Sequence, residues 1–255
     1  MPDQYRSLHT ERWGTDGTGA GRALLLPGVT SSAASMWELG EGLAAVGWSA
    51  VAVDLPGHGC SGPAGSYRLS DVAEVVAAEL GAGWDVVVGH SLGGAIATVL
   101  LASDRSFAAR ALLIDPALLV PDDILDGLVP DLQRSRAEQS EAAVTAAHPH
   151  WHLRTVGERV RSIQTTDVVA VAGYATQNRP WDVREQVRAV GVPVHVLVPT
   201  DDPVTTGSIV DELSTGTRPR WTFETVADTT HSVHRDRPAL VVDRAVRPPG
   251  RREEY

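Results

Sequence analysis

Six short runs of aliphatic and β-branched residues punctuate the chain, at 23–26, 49–53, 86–88, 111–114, 194–198 and 221–226. Such runs suit buried strands. Between them, 36–46, 70–80, 95–102, 181–190 and 208–213 combine good helix formers with an apolar face. Strands that alternate with helices predict an α/β fold, a doubly wound and mostly parallel sheet covered on both faces. One interval breaks the rhythm. From 116 to 191 the chain has no strand pattern, only helical patterns around 124–129, 132–147, 153–163 and 168–177. Connections usually run about 4–6 residues, so this interval predicts a helical lid over 118–179. The core is then formed by 1–117 and 180–255.

In open parallel sheets ligands bind beyond the carboxyl ends of the strands. Each predicted strand here ends in a loop of chemically capable residues: PGVTSS, DLPGHG, GHSLGG, DPA, PTDDP and DTTHS. The third loop is the most informative. Gly89-His90-Ser91-Leu92-Gly93 joins a strand of three valines directly to a helix. So sharp a turn strains its central residue, and only small neighbours let strand and helix approach. Strain of this kind serves to aim a side chain, here the Ser91 hydroxyl.

Composition narrows the chemistry that Ser91 can join. All 22 basic residues of the 255 are arginine. Without lysine there can be no Schiff-base enzyme, pyridoxal-phosphate enzyme or P-loop kinase. One cysteine, Cys60, rules out an intramolecular disulfide and a cysteine-rich zinc site. A net charge of −10 argues against nucleic acid or an anionic membrane as partner. No apolar run reaches the roughly 18 residues of a membrane span, and the N-terminal stretch has no signal-peptide pattern. The expectation is a cytoplasmic protein acting on a small molecule, with no cofactor and no metal. Oligomeric state is not legible.

A serine hydroxyl needs a base, and the base an orienting carboxylate. Both follow Ser91 at strand ends: Asp201 and Asp202 after the run at 194–198, and His231 after the run at 221–226. The order Ser, Asp, His is that of an α/β-hydrolase. LLLPG, VAVDLPGHGCS, VVVGHSLGG, LVPTDDPVT and HSVHRDRP stand in that superfamily's order, so most of the chain resembles an α/β-hydrolase of lidded, esterase-like form. The resemblance implies Ser91 as nucleophile, His231 as base and Asp202 as acid. The oxyanion hole would come from the backbone amides of Leu92 and Val29. The loop has Pro27-Gly28 where the family often has His-Gly, which leaves Thr30 as an alternative to Val29. Thr230 replaces a glycine commonly found before the histidine.

Competing assignments exist for several of these residues. Asp201 reads as a turn residue, and Asp115, at the end of ALLID, is a third candidate for the acid. His234 reads as a solvent-facing or capping residue. His148-Pro149-His150-Trp151-His152 has the look of a metal cluster but no nearby carboxylate to complete it, so a lid loop packed on Trp151 is the better reading. His58 and Cys60 read as loop residues near the site mouth, and Asp54 as a structural turn acid. The expected function is hydrolysis of a small carboxylic ester, lactone or thioester, uncharged or mildly polar. A cofactor-free haloperoxidase, a carbon–carbon bond hydrolase and a non-catalytic receptor are the alternatives on the same scaffold.

Overall fold

A computed structural model describes residues 8–15, 19–201, 203–217 and 220–247. In chain order the elements are β1 (Thr10–Trp13), β2 (Gly21–Leu26), α1 (Trp37–Ala45), β3 (Trp48–Val53), α2 (Leu69–Leu80), β4 (Val86–His90) and α3 (Leu92–Ser103). There follow β5 (Ala111–Ile114), β6 (Leu119–Val120), α4 (Asp122–Glu138), α5 (Glu141–Ala147), α6 (Leu153–Thr165), α7 (Val168–Gln177) and β7 (Trp181–Asp182). The chain continues with α8 (Arg184–Ala189), β8 (Val194–Pro199), α9 (Gly207–Thr217), β9 (Trp221–Val226), α10 (Val233–Asp236) and α11 (Pro238–Val246).

Seven strands form one sheet in the order β1-β3-β2-β4-β5-β8-β9. All neighbours are parallel except β1, which runs antiparallel to β3 at the edge. Period-two alternation sends successive residues of each strand into two different cores. Leu24, Leu26, Val51, Val53 and Val87 face one core, packed against residues of α2 and α3. Ala23, Leu25, Ala50, Ala52, Val86 and Val88 face the other, against α1 and α11. Burial on both faces explains why these strands are continuous apolar runs. The doubly wound α/β sheet predicted from the pattern is the observed fold. Among the described residues, no helix is long and apolar enough to cross a membrane.

Three details differ from the pattern. The edge strand β1 reads TERW, too polar and short to register as a strand. Residues 181–190 are not one helix: Trp181–Asp182 is a strand, and only Arg184–Ala189 is helical. Leu119 and Val120 pair antiparallel with Asp182 and Trp181, a two-stranded clip at the base of the segment that carries α4 to α7. Two-residue strands have no periodicity to detect.

Candidate active site

Glycines make the turn at Ser91 possible. A Cβ on Gly89 would lie 2.6 Å from the Gly93 carbonyl oxygen, and one on Gly93 would lie 2.1 Å from that of Leu26. Neither space admits a side chain. Ser91 itself takes φ 50°, and Thr30 and Asp115 take φ 58° and 39°. These are three of the four non-glycine positive-φ residues among those described, and all stand at strand ends of one neighbourhood. Clustered backbone strain of this sort marks a functional site. The Ser91 amide donates to the Ile114 carbonyl, and its own carbonyl accepts from Gly94 and Ala117, so β4, α3 and the loop after β5 are locked together.

His231 follows β9, and its Nδ1 donates to Asp115 Oδ2 at 2.5 Å. Asp115 is fully buried. Its carboxylate also accepts the amides of Thr205, at 2.7 Å, and Val204, at 3.0 Å. Donors arranged this way fix the carboxylate in place while it holds the imidazole through Nδ1, leaving Nε2 turned to the other side of the ring. The carboxylate on Nδ1 of His231 is thus Asp115, the third candidate read from the sequence, whereas the resemblance implies Asp202. Asp202 lies outside the described residues. The loop that carries it instead delivers Val204 and Thr205 amides to Asp115, and the Thr205 hydroxyl donates to Pro116. An imidazole Nδ1 has one hydrogen, and Asp115 receives it.

Gly28 follows β2 and lets its loop pass against the serine turn, since a Cβ there would sit 2.7 Å from His90 Nδ1 and 3.2 Å from Ser91 Cβ. Ser31 donates its amide to the Gly28 carbonyl, closing a tight turn that carries Val29 and Thr30. Leu92 is the first residue of α3, where helical amides have no intrahelical acceptor. His90 donates from Nε2 to the His231 carbonyl and so supports the histidine loop. Burial, and then the nearby His234, His231 and Arg235, hold His90 well below the ordinary imidazole range, so it is neutral.

Ser91, His231 and Val29 line two cavities that meet at the serine. One, of about 390 Å³, is walled by Gln139, His148, Trp151, Arg159, Thr230 and Arg235. The other, of about 210 Å³, is walled by Leu92, Val120, Leu125, Leu128, Tyr174 and Trp181. Helices α4 to α7 supply much of both walls.

The profile of the alpha/beta hydrolase family matches residues 23–244. The chain belongs to the alpha/beta hydrolase family. Lipase LipV of Mycobacterium tuberculosis is 32% identical over 154 residues, an alignment spanning 56% of this chain and 58% of the lipase. Two solved structures share the fold of this alpha/beta hydrolase closely. The N-formylmaleamic acid deformylase of Pseudomonas putida S16 superposes with a TM-score of 0.78 at 22% identity, covering 94% of this chain and 96% of the other. An E-2-(acetamidomethylene)succinate hydrolase superposes with a TM-score of 0.76 at 22% identity, covering 92% of each.

Other polar residues resolve into separate tasks. His234 is not solvent-facing as its neighbours suggest: it is 2% exposed, and burial, then Arg235 and His231, hold it well below the ordinary imidazole range. The histidines at 148, 150 and 152 diverge. His148 stacks on Trp151, His150 pairs with Asp236, and His152 accepts the Arg154 amide at the start of α6. Asp54 is a turn acid, accepting the amides of Ala33 and Cys60 and the His9 ring. His58 is fully buried and donates from Nδ1 to the Pro56 carbonyl. Sequence reasoning missed Arg159, Arg235 and Asp236. Arg235 and Asp236 sit in HSVHRDRP beside His231, and that proximity was the available signal.

Proposed function

We propose that this alpha/beta hydrolase cleaves small carboxylic esters, lactones or thioesters through an acyl-enzyme on Ser91. The observation that carries this reading is the buried Asp115 carboxylate on Nδ1 of His231, next to a serine held in a strained turn where two cavities join. His231 Nε2 takes the Ser91 proton as Oγ attacks the carbonyl carbon. Charge develops on the carbonyl oxygen, facing the amides of Leu92 and Val29. As the tetrahedral intermediate collapses, the bond to the leaving group breaks and His231 returns the proton to it. Water then attacks the acyl carbon, giving its proton to His231 and releasing the acid and Ser91. Asp115 fixes the tautomer and stabilises the imidazolium throughout. The segment carrying α4 to α7 acts as a lid that selects the substrate, and the reaction needs no metal or cofactor. Labelling with a fluorophosphonate, followed by peptide mass spectrometry, tests the reading. The expected adduct is on Ser91, blocked by a competing ester. An unlabelled Ser91 with intact ester turnover would remove the serine from the mechanism.

A further inference from the structure

Two arginines stand in the wall of the larger cavity, and their direct hydrogen-bond partners carry no charge. Arg235 is 5% exposed, and its Nη2 donates to Ser31 Oγ at 3.1 Å while its Nε has no partner. Arg159, on α6, donates from Nη1 to the Thr30 carbonyl at 3.1 Å and to the Thr30 hydroxyl at 3.0 Å. All of these acceptors are neutral. Among the described residues neither guanidinium has a carboxylate within ion-pair distance.

The nearest acids are already engaged elsewhere. Asp236 accepts Trp151 Nε1, His150 Nε2, and both the amide and hydroxyl of Thr230. Burial works against its charge, but these hydrogen bonds prevail and keep it below the usual carboxylate range. Glu38 accepts the Thr155 hydroxyl. Burying an unpaired charge is expensive. Burial, and then Arg159, bring Arg235 down to about 9 against the opposing pull of Asp236 and Glu38, and burial brings Arg159 to about 10. Both guanidiniums thus line one chamber, Arg235 with its Nε unpartnered, and neither is ion-paired to a carboxylate among the described residues.

We infer that the larger cavity seats a carboxylate: the substrate carries one beside its scissile carbonyl, held by Arg159 and Arg235, while an apolar portion occupies the smaller cavity. The inference deepens the hydrolase reading and rests on it for the identity of the scissile bond. It departs from the expectation of an uncharged or mildly polar substrate. Guanidinium forks match carboxylates with two parallel hydrogen bonds. Ala143, Val144, Ala147 and Trp151 add apolar surface to the same chamber.

The test compares 4-nitrophenyl hydrogen glutarate with the neutral 4-nitrophenyl pentanoate on the whole protein. Wild type is expected to favour the anionic ester in kcat/KM. Arg235→Met and Arg159→Met should each lower the anionic-to-neutral ratio about 10–100-fold, the range of a lost charged hydrogen bond, acting chiefly on KM. Arg235→Lys should restore part of the ratio, and Arg161→Met, on the exposed face of α6, should leave it unchanged. A neutral ester preferred by wild type would overturn the inference. So would arginine variants that slow both esters equally, which would make the arginines supports of the Thr30 loop. Calorimetry with Ser91→Ala and glutarate separates this inference from the hydrolase reading. Glutarate binding that Arg235→Met abolishes supports the carboxylate seat even if no ester is cleaved. No glutarate binding, or tighter binding of inorganic phosphate, overturns it.

Discussion

The two cavities at Ser91 share that serine, His231 and Val29 yet differ in nearly everything else. One presents two guanidiniums and His148; the other presents Leu92, Leu125, Leu128 and Trp181. Much of their walls comes from different parts of the segment that carries α4 to α7. Helices α5 and α6 with the loop between them close the cationic side, and α4 with α7 closes the apolar side. The shared residues, by contrast, all come from strand-end loops of the sheet. The residues common to both cavities and those that distinguish them therefore come largely from separate pieces of chain, with Arg235, after β9, as an exception.

Removing the shared part should hit both sides alike. Ser91→Ala is expected to lower kcat about 10⁶-fold on anionic and neutral esters, with an unchanged circular dichroism spectrum. Unequal losses would mean that the two cavities do not feed one nucleophile. Asp115→Asn comes next. It leaves the geometry in place but the wrong tautomer on His231, and a comparable triad loses about 10⁴ in kcat. Asp201→Asn and Asp202→Asn should cost far less, and the three variants assayed side by side distinguish the acid.

Smaller effects probe one side only. Leu128→Ala enlarges the apolar cavity, so the preference for longer apolar groups should rise about 10-fold, within the range of one or two methylenes. Its anionic-to-neutral ratio at fixed length should stay put; a change in both would show the cavities to be coupled. The last expectation concerns stability. Arg235→Met removes a buried charge that has no direct ion-pair partner among the described residues and should raise the unfolding free energy by about 1 kcal/mol, roughly 2–4 °C in Tm by calorimetry. A lower Tm would mean that the guanidinium holds the Ser31 loop more than it burdens the fold.

Ser91 and His231 were legible because their surroundings are local. A G-x-S-x-G turn needs its glycines within two residues, and both clashes that forbid larger residues arise within the turn or against β2. The acid was not legible, because ALLIDP and PTDDPVT each place aspartate after a strand. Which one reaches His231 depends on loop paths that sequence order does not encode. Asp115 is also preceded by nothing unusual, and its φ of 39° is invisible until the backbone is seen. The arginines were missed for a similar reason. Arg235 lies in a polar, charged string, and only the packing of Trp151 and the Ser31 loop over it turns a surface pattern into a buried one. The sheet itself was the most legible part, since full burial forces unbroken apolar runs. The polar edge strand β1 escaped because one of its sides needs no core.

The clip between β6 and β7 has an evolutionary reading. Val183 donates its amide to the Leu118 carbonyl, and Trp181 donates its indole N–H to the Ala117 carbonyl. The insertion therefore leaves the sheet and returns to it through one short seam, immediately after the residue that orients His231. A segment with adjacent ends can be lengthened, shortened or exchanged by recombination without moving the strands on either side. The carboxylate seat would not survive such an exchange intact. Arg159 would travel with the cassette while Arg235 stayed behind with the histidine loop, so a grafted insertion would inherit half of the anion recognition and a lineage would have to rebuild the rest.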